Sequence, residues 1–326
     1  MMPSASEDEI VLHALQEATR SLGIDLEHSL KRLGLSPRLL APPGRFAASH
    51  LLNYLLEDMA QHYHCQDLAL HVADKLSAPQ LGLPARVLSL SLDLENGLDK
   101  AAQFPVFYRD TCYWQHSVMA GQVTLSKPAS PFGSQFFRQR NVFGTAQMFM
   151  LLRQLTGKLW HADAVSFSFS DPGGNFTQTY RAFFNCELHF NQVVDAIHFS
   201  DEFLNYQFAG SDVNMLRMLE ARIVTMQREL LRQRDFLDQA RLLIDQRLNF
   251  STCTLDELAV YMNRSEGQLS GDFDSSGMTF DALLHQRRVE RAKYYATALR
   301  APANVIAAAL FPGSNETDCT ALIPEG

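Results

Sequence analysis

The sequence predicts an α+β N-terminal domain, made of helices plus a small, mostly antiparallel sheet, followed by an all-α C-terminal domain. Three observations predict it. Apolar residues recur at helical spacing through the first hundred or so positions. Short alternating segments broken by Gly-containing turns take over between Cys112 and Phe199. From Asp212 to about Leu248 the chain carries no Gly or Pro, and further helical patterns fill the remainder. With 326 residues, 46% hydrophobic and 20% charged, there is room for two ordinary globular domains with separate cores.

In order along the chain, residues 7–110 read as a string of helices. Asp25 sits where an N-cap belongs, and Ser36-Pro37 opens a further short turn in the N-cap and N1 pattern. His50 to Met59 carries Leu51, Leu52, Tyr54, Leu55, Leu56 and Met59 at helical spacing, and Asp67 to Leu76 repeats it with Leu68, Leu70, Val72 and Ala73. Tyr113 to Val118, the turn Ala120-Gly121-Gln122, and Val123 to Leu125 read as a hairpin. A helix spans about Asn141 to Leu155 and stops before Gly157. Ala164 to Phe169 alternates as a strand and ends at Asp171-Pro172-Gly173-Gly174; two short strands follow near Glu187–Phe190 and Ala196–Phe199. The result is helices first, then a small sheet with a helix across it.

Asp212 to Leu248 reads as one long helix or two nearly continuous ones. Leu216, Ile223, Leu230 and Leu237 repeat every seven residues, with Leu219 and Met226 at the intermediate position and Gln233 continuing it. This a/d pattern fits either a dimer seam or a helix packed on its own domain. The domains expected are residues 1–210, a linker helix over 211–240, and residues 241–326.

Composition narrows the function classes. A net charge of −8 argues against a protein whose main surface clamps nucleic acid, because polyphosphate binding needs a concentration of Lys and Arg. The five cysteines, Cys65, Cys112, Cys186, Cys253 and Cys319, are scattered and form no C-x-x-C pair, which fits reduced thiols. The N-terminus lacks a basic and then apolar leader, and no run approaches a membrane span, so a cytoplasmic protein without a membrane partner is expected. No G-x-S-x-G, G-x-x-x-x-G-K-[ST], H-E-x-x-H or G-x-G-x-x-G occurs, so neither an enzyme nor a cofactor is expected. His62, His64 and Cys65 crowd a helix end, but the two histidines point in different directions and no second ligand pair has metal spacing; no metal is expected.

Thr254 and Glu257 form a capping box that starts a helix with Leu255, Leu258, Ala259 and Met262 on its apolar stripe. After Asn263, Ser265 caps a second helix with Leu269 and Phe273 inward, ending at Gly277. A third begins near Thr279 and carries Phe280, Leu283, Leu284, Arg288 and Ala292. Helix, tight turn, helix and a long connecting helix is helix-turn-helix geometry. The pattern L-x-x-L-A, S-x-x-x-L-x-x-x-F-x-x-x-G-x-T-F-x-x-L-L-x-x-x-R-x-x-x-A, met from Leu255 to Ala292, resembles the AraC/XylS family of transcription regulators. The stretch from Leu155-Thr156-Gly157 through Tyr180, Phe183-Phe184, Cys186, Phe190 and Phe199 is similar to the closing segment of the arabinose-binding-like N-terminal effector domain of one AraC subgroup.

The resemblance implies tandem helix-turn-helix units that bind DNA, and an N-terminal domain that senses a small molecule or makes a dimer. Residue by residue, the reading surface departs from the family. The outer face of the first recognition helix is Glu266, Gly267, Gln268, Ser270, Gly271 and Asp272, followed by Asp274, where Arg contacts to guanine and phosphate belong. Candidates for residual DNA contact are Arg264, Gln268 and Ser270, and the basic cluster Arg287, Arg288 and Arg291 on the connecting helix, whose alternative reading is a solvated face. Between Arg241 and Gly326, eight basic residues stand against eleven acidic ones. Asn304 to Leu310 fits the first helix of the second unit, but no Lys or Arg follows Arg300, and Ser314 to Thr317 carries only the family's turn and N-cap.

For the effector, Cys112, Trp114 and His116 share one face of their strand and are candidates for a pocket wall, with His116 as the polar handle; the alternative is a core face with one polar member. Three functions are expected from these readings. One is a regulator sensing an unknown small-molecule effector with weakened DNA binding. Another is a relative that no longer binds DNA and acts as a homodimer or a heterodimer with an intact paralogue, or by sequestering the effector. The third is a truncated or frameshifted product without independent function.

Overall fold

The computed structural model describes residues 7–33, 49–79, 81–102, 114–127, 138–157, 160–232, 235–248, 253–262, 264–298 and 310. The chain divides into two compact units, one reaching to Leu219 and one starting at Glu220, so the division falls inside a helix. Ser36-Pro37, Cys112, Cys319 and the stretch Ser314 to Thr317 lie outside the described residues, as does the Asn304 to Leu310 helix apart from Leu310 itself.

The first unit opens with six helices: α1 (Glu7–Leu22), α2 (Leu26–Arg32), α3 (Ser49–His62), α4 (Leu68–Asp74), α5 (Gly82–Leu90) and α6 (Leu94–Ala102). Asp25 caps α2 as expected, its carboxylate accepting from the His28 amide at 2.9 Å. A hairpin follows, β1 (Gln115–Met119) and β2 (Gln122–Ser126). Its two turn residues, Ala120 and Gly121, both have positive φ (52° and 83°), the twist a two-residue hairpin turn requires. Next come α7 (Arg138–Thr156), β3 (Ala164–Ser166), α8 (Gly174–Phe184), β4 (Glu187–His189) and β5 (Ala196–Ser200), then a 3₁₀ turn at Asp201–Asn205 and α9 (Val213–Arg232).

The fold is α+β, as the sequence predicts, with the five strands in one sheet of order β1-β2-β5-β3-β4. Every pairing is antiparallel except β3 with β4. Val123 opposes Phe199, and Leu125 and Val165 both oppose Ile197. These five side chains share one face and are completely buried. The opposite face carries a polar ladder: Thr124 Oγ1 and Ser166 Oγ lie 3.2 and 2.8 Å from the two ring nitrogens of His198. Burial and the neighbouring His189 hold that imidazole below its ordinary pKa.

Two details depart from the sequence reading. The strand expected over Ala164–Phe169 ends at Ser166, because Phe167 leaves the sheet for an irregular exchange with the next turn. The Phe167 amide donates to the His189 carbonyl, the Gln192 amide donates to the Phe167 carbonyl, and the Asp195 carboxylate accepts from the Ser168 amide and hydroxyl. Helix α8 was missed because its approach, Asp171-Pro172-Gly173-Gly174, reads as a loop; the Asp171 carboxylate fixes that loop by accepting from the Gly173 amide and the Thr177 hydroxyl.

Helix α7 is the centre of the unit. Val142, Phe143, Ala146, Phe149 and Leu152 are buried, and so are Gln139, Thr145 and Gln147 on other sides of the same helix. A helix whose first turn starts in the core must satisfy its leading amides without water. Here Glu57 of α3 does so: its carboxylate accepts from the amides of Gln139 and Arg140. The Gln139 amide group then bridges to α4, accepting from the Ala69 amide at 2.9 Å and donating to the Gln66 carbonyl at 2.9 Å. Tyr180 of α8 donates to the same Gln66 carbonyl at 3.3 Å, and the Arg138 guanidinium lies 4.4 Å above the Phe169 ring.

The second unit contains α10 (Phe236–Leu248), α11 (Leu255–Met262), α12 (Glu266–Ser276) and α13 (Phe280–Ala298). Its core joins Leu243, Ile244 and Leu248 with Leu258, Leu269, Phe273, Leu283 and Leu284, all buried. Both capping expectations hold. Thr254 and Glu257 close one box, and Ser265 with Gln268 closes the other. Gly277 ends α12 at φ +69°.

Cys65, Cys186 and Cys253 are free thiols, and burial pushes Cys65 up to about 12 and Cys186 up to about 11, which keeps both protonated and unreactive. Among the described residues no helix is long and apolar enough to cross a membrane, and no His, Cys, Asp or Glu cluster is arranged to hold a metal.

Burial raises Glu57 from its ordinary 4.5 to about 8, against the lowering effect of the two amides it caps. The native state therefore favours the protonated acid, and its contribution to stability is complete at low pH and is lost as pH rises from about 4.5 through about 8. Thermal unfolding followed by circular dichroism should show the melting temperature falling over that window. Glu57→Gln, which keeps an acceptor without the charge, should flatten the fall; an unchanged slope would contradict this reading.

Candidate functional site

Helices α5 and α6 form a hairpin whose two members touch at Gly97. A Cβ on that residue would lie 2.4 Å from Leu88 Cδ1 and 3.2 Å from the Leu88 carbonyl oxygen. Pro84 stands in the first turn of α5, where its missing amide costs nothing, and Asp93 caps α6 by accepting from the Asn96 amide at 2.9 Å. Between this hairpin and the C-terminal half of α7 a small apolar cavity of about 20 Å³ remains, partly open to solvent. Helix α5 and its N-cap supply Leu81, Pro84, Ala85 and Leu88 to the wall. Leu98 and Ala101 come from α6, Met148 and Leu151 from α7, and Trp114 closes one side.

Trp114 is 3% exposed, yet its indole N–H has no hydrogen-bond partner. Its ring is held by Lys127, whose ammonium lies 5.1 Å from the ring centroid while donating to the Asn141 carbonyl at 2.6 Å. Of the expected pocket residues, Trp114 is placed in the wall, while Cys112 lies outside the described residues. His116 of β1 turns instead toward α6, with its Nε2 3.8 Å from Asp99 Oδ1, so it fastens hairpin to sheet and is not part of this wall. Sequence reasoning missed the helical wall, because Met148 and Leu151 sit on a helix that is apolar almost all round and carry no distinguishing pattern.

The pocket hairpin is also tied to the chain that leaves the unit. Asp93 bridges Gln207 across backbones, the Phe208 amide donates to the Leu92 carbonyl at 3.0 Å, and the Asp212 amide donates to the Leu90 carbonyl at 3.1 Å. Residue 213 begins α9. On α9, Leu216 and Ile223 are buried within the chain and Leu219 and Met226 are half-buried, whereas Val213, Met215 and Met218 are exposed. Leu230 has no described side chain, and Leu237 lies on the separate helix α10, so the heptad pattern from Leu216 to Leu237 does not run along one helix.

In the second unit, helices α11 and α12 carry the helix-turn-helix. Glu266, Gly267, Gln268, Ser270, Gly271 and Asp274 are exposed on α12. Three of the four cations, and the polar reader, expected to meet DNA are engaged within the protein. Arg264 pairs with Asp272 and lies 5.6 Å from the Phe236 ring centroid. The Gln268 side chain accepts from the Ser265 amide at 3.0 Å, closing its own helix cap. Arg287 makes a two-pronged contact with Asp245 of α10, at 2.8 and 2.7 Å, and also pairs with Glu290. Arg291 donates to the Asp245 carbonyl at 2.9 Å, and burial lowers the pKa of the half-buried Arg288. Asp245, 42 positions before Arg287, could not be paired with it from the sequence; Ser270 remains exposed.

An α+β unit followed by a unit with helix-turn-helix geometry is the architecture found in transcription regulators with an N-terminal regulatory domain. The family model for the arabinose-binding N-terminal domain of AraC transcription regulators matches residues 23–208, more than half of the chain, and the protein belongs to that family. Among solved structures, the chain is similar to the transcriptional regulator CdpR from Pseudomonas aeruginosa, at 12% identity and a TM-score of 0.44, over 91% of this chain and 92% of that one. No curated protein matches it.

Two glycine replacements should have opposite signs. Gly97→Ala forces Leu88 or its backbone to move and should destabilise the protein by about 1–3 kcal/mol, the usual range for overpacking. Nothing lies within 4 Å of a Cβ added to Gly271, so Gly271→Ala should stabilise α12 by up to about 1 kcal/mol through helix propensity. Urea unfolding curves of the two variants check both; a stabilised Gly97→Ala or a destabilised Gly271→Ala would contradict the packing described.

Proposed function

We propose that the protein is an AraC-type regulator whose effector pocket is the space between the α5–α6 hairpin and α7, and whose grip on DNA is weak. The observation that carries the second part is the internal use of its cations: Asp272 holds Arg264, and Asp245 holds Arg287 and, through its carbonyl, Arg291. An arginine already paired gains less on meeting a phosphate and releases fewer DNA counterions, and counterion release supplies most non-specific affinity. The exposed carboxylates of Glu266 and Asp274 add repulsion on the face that would enter the groove.

The first part is supported by the hydrogen bonds that join the hairpin to the chain entering α9. A ligand that wedges against α5 and α6 acts on Leu90, Leu92 and Asp93, and through them on the segment from Gln207 to Asp212. Occupancy is thereby carried to α9. A second reading, action by pairing with another copy or with an intact relative, is favoured by one observation: Met215 and Met218, one turn apart on α9, are exposed. Sedimentation at tens of micromolar separates the two, since a monomer removes the pairing.

Fluorescence anisotropy with duplex DNA across a salt series tests the DNA claim. The native chain should bind only above the micromolar range with a shallow salt slope. Asp272→Asn, which frees Arg264 and removes a carboxylate, should raise affinity about five-fold and steepen the slope by about one. Sub-micromolar, salt-sensitive binding by the native chain, or no change in the variant, would overturn the claim.

A further inference from the structure

We infer that α12 meets duplex DNA without reading its bases, so that the α11–α12 unit takes DNA irrespective of sequence; this rests on the weak grip on DNA proposed above. A recognition helix turns the face opposite its buried stripe toward the base edges. On α12 the buried stripe is Leu269 and Phe273. At about 100° per residue, Gly267 and Gly271 stand opposite that stripe, at the centre of the exposed face. Nothing lies within 4 Å of a Cβ added to either glycine, and neither has positive φ. Neither packing nor backbone conformation therefore demands glycine at these two positions, and each weakens the helix relative to Ala. Their effect falls on the reading face, whose centre offers a base edge no side-chain donor or acceptor.

The polar side chains beside the glycines do not replace a reader. A glutamine recognises adenine by accepting from N6 and donating to N7 together, but Gln268 has its Oε1 turned back to the Ser265 amide at 3.0 Å. Ser270 is exposed but short, and a serine hydroxyl pairs with any base. Asp274 stands in the last turn before Gly277, beyond the N-terminal turns that contact base edges. Arg264, just ahead of the helix cap, is held by Asp272 and the Phe236 ring. What remains is contact with phosphates, which carries no sequence information. The scaffold itself is complete, with its capping box, buried stripe and Gly277 end, so a single reader placed on it should restore selectivity.

Fluorescence anisotropy of the full chain at low salt, with guanine–cytosine-rich, adenine–thymine-rich and mixed duplexes of equal length, gives the ratios of affinity that test this. Gln268→Ala and Ser270→Ala should each leave those ratios unchanged within about two-fold, well below what one bidentate base contact supplies. Gly271→Arg, for which there is room, should bind the guanine–cytosine-rich duplex about five-fold or more tightly than the adenine–thymine-rich one, relative to the native chain. A preference of the native chain that either alanine variant abolishes would overturn the inference and leave the weak grip on DNA standing. Unchanged ratios with Gly271→Arg would also overturn it, because α12 would then lie away from the base edges. Failure of every duplex to bind at low salt would overturn the proposed grip on DNA together with the inference.

Discussion

Everything in the first unit depends on α7, whose middle from Val142 to Phe149 is buried on every side. A helix in that position exposes its first amides to a medium without water, and they must be met by a group carried on another element. Glu57 meets them, and Gln139, Gln66 and Tyr180 extend the arrangement to α4 and α8. The helix is thus fixed at its N-terminus by polar contacts, while its flanks are fixed by apolar ones against Phe184, Trp160 and the buried face of the sheet. A carboxyl group with pKa raised to about 8 is the energetic consequence of placing an acid there.

The same helix changes role along its length. Its beginning is the anchor, and its last turns, at Met148 and Leu151, form the floor of the pocket. Across that floor the α5–α6 hairpin is packed into the core through Leu88, Leu94 and Leu98, and it is tied to its neighbours by His116 against Asp99 and by the backbone bonds from Leu90, Leu92 and Asp93 to the segment before α9. In the second unit, acidic residues occupy the positions next to the cations, so folding and DNA contact compete for the same arginines. Asp245 stabilises the packing of α10 on α13, and on our proposal it does so at the expense of phosphate contacts.

Much of this could be read in the sequence wherever a local rule decides the outcome. Asp25, the Thr254–Glu257 box, Ser265 and Gly277 mark helix ends because capping depends on residues three or four apart. The hairpin at Ala120-Gly121 and the strands near Ala164 and Ala196 followed from alternation. What the sequence did not disclose depends on distant pairs. Glu57 meets Gln139 across 82 positions and Asp245 meets Arg287 across 42, and neither has a local signature. Trp114 was singled out for the pocket, but the helical walls opposite it were not, because apolar residues on a buried helix look alike whether they face a neighbour or a cavity. His116 was assigned to the wall by strand alternation; the strand starts only at Gln115, and α6 offers it a carboxylate.

The central claim is that filling the pocket is felt at the entrance to α9. Hydrogen exchange of the Phe208 and Asp212 amides, which donate to the α5–α6 hairpin, tests it most directly. With an effector bound at ten times its dissociation constant, exchange at these two amides should slow together with α5 and α6, by up to about ten-fold. Slowing confined to α5, α6 and α7, with Phe208 and Asp212 unchanged, would contradict the claim.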